Sequence, residues 1–231
     1  MINETPTLTE LMGEISSMFS YDEICKMSDE QKQEYDRLLT HFKDVNGRNS
    51  LASKEEKGKS LENLVDYLLK ISGNIFRVVR NVRTNTNEID QIVELNQSGK
   101  ALYGYGLLFP RINHFLGECK NYNSAVSVTY IGKFYSLLQT TQNKTGIIFS
   151  YHGISGNNWR YGSGLVKKIY LQRENEDNRT AVIDFSLPDF EAVANGKNFL
   201  DIIENKLLAL QHDTSIDTLI STHPAEIMFK T

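Results

Sequence analysis

The order in which two periodicities alternate along this chain constrains its fold most. Apolar residues at three- and four-residue steps mark helices. Short β-branched or apolar runs bounded by turn residues mark strands. From Ser53 onward the order is helix, three strands, helix, strand, helix, strand, helix. Strands at Ile75–Val82, Glu88–Leu95 and Phe115–Tyr122 come before the second helix, which is placed at about 124–141. Asn96–Gly104 reads as a loop within that run. A Gly-bounded apolar strand, Gly146–Tyr151, precedes a helix at about 159–172, and the strand Ala181–Phe185 precedes the last helix, Phe199–Leu210. Three strands in succession followed by alternating helix and strand predict an α/β fold, a central mixed sheet flanked by helices.

Ahead of this lies a more uniformly helical stretch. Leu8, Leu11, Met12, Ile15, Met18 and Phe19 form one stripe. Tyr35, Leu38, Leu39 and Phe42 form another, behind a capping-box sequence, Ser28-Asp29-Glu30-Gln31. The polar stretch Asp44–Ser50 separates the two regions. An N-terminal helical segment over 1–50 and a larger domain over 51–231 are therefore expected.

Composition narrows the function. With 25 Lys plus Arg against 29 Asp plus Glu, the net charge is −4. That excludes a broadly cationic protein coating nucleic acid or membrane, so phosphate contact needs a local patch or a metal ion. Two cysteines, Cys25 and Cys119, have neither disulfide-scaffold numbers nor metal-ligand spacing. No membrane-length apolar run and no basic leader at Met1–Gly13 are apparent, and a cytoplasmic location is expected. The loop Gly153–Gly156 lacks a Walker pattern, so no nucleotide cofactor is expected.

Four residues carry chemistry. Glu62 sits on the helix that the segment Lys57–Glu62 opens. Asp90 lies at the start of the second strand. Glu118 and Lys120 lie on the third strand, where alternation puts them on one face and Cys119 on the other. A carboxylate and an ammonium among apolar neighbours are costly to bury without compensation. A hard divalent cation, held by Asp90 and Glu118 with Glu62 as an auxiliary ligand, would supply it. Lys120 could then orient or help deprotonate a water, or stabilise charge on phosphorus. The plainer alternative is a Glu118–Lys120 ion pair on a solvated sheet edge.

The basic concentration Lys57, Lys59, Arg77, Arg80 and Arg83, with Lys133 on the helix after Lys120, is either a set of phosphate contacts or solvated surface. Arg77 and Arg83 share strand parity, whereas Arg80 does not. Tyr130 and Lys133 on the helix after Lys120 could reach the cleft, with packing the favoured reading of Tyr130.

The set Lys57–Glu62, Glu88–Asp90, Glu118–Lys120 and Gly146–Gly156 resembles the PD-(D/E)XK nuclease superfamily, and in particular its Mrr-like restriction endonuclease domains. Ile89 stands where the signature has proline. The resemblance implies a restriction endonuclease-like core and a Mg2+-dependent endonuclease acting on DNA, with Mn2+ able to substitute. It also implies Asp90 and Glu118 as metal ligands, Lys120 as the catalytic lysine and Glu62 as an auxiliary acid. Double-strand cutting would call for a homodimer or a second active site. The alternative is a non-catalytic nucleic-acid-binding or protein-interaction module on the same fold.

Overall fold

A computed structural model describes Thr7, Gly13 and residues 18–83, 88–173, 175 and 178–212. The stripe from Leu8 to Ile15, the turn at 84–87 and the tail from 213 lie outside these residues.

Helix α1 spans Tyr21–Ile24 and α2 spans Asp29–Asn46. The Ser28 hydroxyl accepts the Gln31 N–H while the Gln31 side chain accepts the Ser28 N–H, so the capping box closes as the sequence predicts. Helix α3 spans Lys54–Ile71, opening at its Ser53 cap one turn earlier than expected, which places Glu62 well inside the helix. Strands β1 (Phe76–Arg83) and β2 (Glu88–Leu95) follow.

The next segment corrects the reading: Gln97–Gly104, expected as a loop, is helix α4. Its two glycines lower helix propensity and disguised it. Gly99 is nonetheless required, because a Cβ there would lie 2.5 Å from the Ile75 carbonyl oxygen, and the Asn96 side chain caps its N–H.

Strand β3 (His114–Lys120), helix α5 (Val128–Thr140), strand β4 (Thr145–Ser150), helix α6 (Tyr161–Leu171) and strand β5 (Ala181–Phe185) come next. The third strand thus ends at Lys120, short of Tyr122. Helix α7 (Leu187–Ala194), absent from the sequence reading, is capped reciprocally by Ser186 and Asp189 with proline in its first turn. Helix α8 spans Phe199–Gln211.

The five strands form one sheet in the order β1-β2-β3-β4-β5, antiparallel from β1 to β3 and parallel from β3 to β5. Alternate residues feed two layers. Phe115, Ile147, Phe149, Ile183 and Phe185 pack with α2, α3, α7 and α8, whereas Leu116, Ile148 and Val182 pack with α5 and α6. Every residue of β4 is buried, as a strand covered on both faces must be. Helix α2 joins the first layer through Tyr35, whose hydroxyl donates to the Phe190 carbonyl, and through Phe42, edge-on to Tyr151 and Phe190. The fold is therefore the mixed-sheet α/β architecture expected, with an N-terminal helical part. Among the described residues no helix is long and apolar enough to cross a membrane.

Candidate active site

The site forms where β2 leaves β3. Their pairing stops at Gln91 opposite Gly117, while β3 continues beside β4 as far as Lys120 opposite Ser150. Asp90 and Glu118 are the next residues beyond that last pair. A backbone N–H left without a ladder partner needs another acceptor. Asp90 supplies it, its Oδ2 accepting the Cys119 N–H at 3.1 Å. On the other side of β2, Asn81 adopts φ 51°, a left-handed conformation asparagine tolerates, between the pairs Arg80–Gln91 and Val82–Ile89.

Glu118 and Lys120 share a face of the central strand, and Glu118 is buried at 5% exposure, so neither stands on a solvated edge. The Lys120 ammonium lies 2.7 Å from Glu118 Oε1 and 3.5 Å from Asp90 Oδ2. Two carboxylates from two strands thus converge on a single cationic group. The Tyr130 hydroxyl, from α5, donates to the same Glu118 Oε1, and Lys120 Nζ sits 5.2 Å from the Tyr130 ring centroid. Burial pushes the Glu118 carboxyl pKa up, with Asp90 adding to the rise and Lys120 opposing it. For Lys120, burial disfavours the charge, but Glu118, Tyr130 and Asp90 outweigh it and the pKa rises.

Glu62 is exposed on α3, beneath the opposite face of the sheet. One turn on, Asp66 pairs with Arg80 at 2.8 Å and accepts from the Gln91 side chain at 3.2 Å. Burial raises the Asp66 pKa to about 6 despite Arg80, and Glu62 contributes to the rise. The Cys119 thiol is pushed up as well, by burial first and then by Asp90, Glu62 and Asp66. Asp90, Glu118 and Lys120 are therefore gathered together. Glu62 neighbours Asp66 instead, and among the described residues no three His, Cys, Asp or Glu side chains form a ready-made cation cage. The Asp90–Glu118 donor set still suits Mg2+, which commonly takes one or two carboxylates and completes its shell with water and phosphate oxygens.

The basic candidates divide. Lys57 donates to the Asn123 side chain at 3.0 Å, and Asn121 donates to the Lys57 carbonyl at 2.6 Å, so the start of α3 is tied to the segment that follows Lys120. Lys59 and Lys133 are exposed, and Lys133 lies one turn beyond Tyr130. Arg77 is exposed opposite Glu94, Arg80 is engaged by Asp66, and the Arg83 side chain lies outside the described residues.

Sequence reasoning missed Asp66 and the role of Tyr130. The four-residue step from Glu62 to Asp66 was a visible signal, since it places both on one helix face. The place of Tyr130 on the helix after Lys120 allowed it to reach the cleft, but the sequence favoured packing and did not single out Glu118 as its partner.

No curated protein and no solved structure matches the chain. A family model described as restriction endonuclease, Mrr_cat, matches residues 53–176, more than half of the chain, from the cap of α3 through the end of α6. That span contains the splayed strands, both carboxylates and the lysine, and the chain belongs to this Mrr-type restriction endonuclease family, within the PD-(D/E)XK superfamily.

Proposed function

We propose that the protein is a Mg2+-dependent endonuclease that hydrolyses phosphodiester bonds of DNA, of the restriction type. The observation that carries this reading is the convergence of Asp90 and Glu118 on the Lys120 ammonium at the open end of β2 and β3. A bound Mg2+ would supply charge neutralisation at phosphoryl oxygens and a more acidic water. Asp90 and Glu118 would hold it. Lys120 presents N–H groups to the attacking water or to a non-bridging phosphate oxygen, where fixed positive charge favours the pentavalent transition state. Glu62 and Asp66 add negative charge that acts on the Cys119 thiol.

Carboxylates without a metal repel phosphate, so DNA affinity at this site depends on the cation. Lys57, Lys59, Lys133, Arg77 and Arg83 are the proposed backbone contacts. Cutting both strands requires a second active site, which a homodimer provides.

Supercoiled plasmid with Mg2+ tests the proposal. Wild type nicks or linearises it, EDTA abolishes the reaction, and Glu118→Ala and Lys120→Ala each remove it while retaining the fold by circular dichroism. Mn2+ restores cleavage after chelation. DNA bound equally with and without metal, and never cut, would overturn the enzymatic reading in favour of a binding module.

A further inference from the structure

We infer that Tyr130 is a positioning residue for the metal-binding carboxylate Glu118. This rests on the proposed function, because it assigns the role of a neighbour to a proposed ligand.

Glu118 Oε1 already accepts from two directions, from the Lys120 ammonium and from the Tyr130 hydroxyl. None of the hydrogen bonds among the described residues reaches Oε2. A carboxylate held this way cannot spin about its terminal torsion without giving up two donors. It therefore offers one chosen oxygen to an incoming cation and keeps the other for the protein.

The aim of the tyrosine is itself fixed. Ser127 caps α5 by accepting the Tyr130 N–H, so Tyr130 occupies the first turn of the helix. That turn is anchored by the bridge between Val126 and Ile154, with the Val126 N–H bonded to the Gly153 carbonyl at 2.8 Å. Next along the helix, Ile131 is fully buried. The ring is held on one side by Tyr122, edge-on with centroids 6.2 Å apart, and faces the Lys120 ammonium. Helix, bridge and ring contacts together deliver one hydroxyl to one carboxylate oxygen. Donors that orient ligating groups from outside typically contribute 10–100-fold in metal affinity.

The test is Mn2+ uptake by the full chain, followed as loss of the free-ion paramagnetic resonance signal, for wild type, Tyr130→Phe and Glu118→Gln. Phenylalanine keeps the ring that Tyr122 and Lys120 touch and removes only the hydroxyl. Mn2+ binding roughly tenfold weaker in Tyr130→Phe is expected, with the circular dichroism spectrum unchanged. The half-saturating Mg2+ for cleavage should rise while KM for DNA at saturating Mg2+ stays constant. Equal Mn2+ affinity in wild type and Tyr130→Phe overturns the inference and leaves the proposed function standing. Loss of DNA affinity with metal affinity intact also overturns it, by making Tyr130 a substrate contact. Wild type that takes up no Mn2+, or whose uptake ignores Glu118→Gln, defeats the metal reading and this inference with it.

Discussion

Replacing Lys120 by methionine keeps the length and apolar stem of the side chain and strands Glu118 as a buried charge. The pair is 2.7 Å apart, with side chains 21% and 7% exposed for Lys120 and Glu118. Removing one partner of a buried pair costs about 3–5 kcal/mol. The partial exposure of the lysine puts this case at the low end, about 3 kcal/mol, and the Tyr130 hydroxyl limits it further. The cost depends on pH because burial has already raised the Glu118 pKa. A carboxyl whose pKa is higher in the folded state favours folding only while it holds its proton. That contribution is complete below the ordinary carboxylate range and disappears as pH climbs through the raised value. Without Lys120 the folded value moves higher still. The penalty should therefore be largest near pH 8 and shrink toward pH 5, where Glu118 can take up a proton. Urea unfolding at both pH values, on Lys120→Met, Glu118→Gln and the double variant, gives the cycle. A coupling of about 2 kcal/mol is expected at pH 8, the double variant losing less stability than the two single variants combined. Additive single effects, or a Lys120→Met penalty independent of pH, would mean that losing Lys120 leaves no uncompensated charge on Glu118.

Two further outcomes follow from other buried groups. Asp184 on β5 has a buried Oδ1 with no hydrogen-bond partner among the described residues, and burial raises its pKa to about 6 against the pull of Lys206. Asp184→Asn should stabilise the fold by about 1–3 kcal/mol at pH 8. The gain should fade as pH drops through about 6 and be gone by about pH 4. A pH-independent difference in unfolding free energy would contradict it. Gly146→Ala should destabilise by about 1–3 kcal/mol, because its Cβ would come within 2.6 Å of the buried Phe134 ring and 2.8 Å of Leu138. An unchanged melting temperature would count against the close packing of α5 on β4.

The strands were legible because each carries its own local signature. β5 matches its predicted bounds, and β4 reads correctly because a glycine-bounded apolar run has few other uses. The pairing of Glu118 with Lys120 followed from strand parity alone. What stayed hidden depended on contacts between distant segments. Arg80 faces Asp66 rather than a nucleic-acid groove, and only the packing of α3 against the sheet decides that. Tyr130 read as packing rather than as a cleft residue because its hydroxyl acquires a partner only when α5 docks beside β3. Glu62 was singled out as the end of the Lys57–Glu62 segment, yet α3 presents it beside Asp66, exposed, rather than among the other carboxylates. Helix α7 escaped because proline and a Ser186–Asp189 cap resemble a turn until the following residues pack.

On the proposed function, Asp90 and Glu118 share one divalent cation beside Lys120. Anomalous scattering from crystals soaked in Mn2+ tests it without reference to any substrate. One ion, bound by an oxygen from each carboxylate, is the predicted result. Manganese bound elsewhere, or Lys120 still filling the gap between the two carboxylates at millimolar Mn2+, would contradict it.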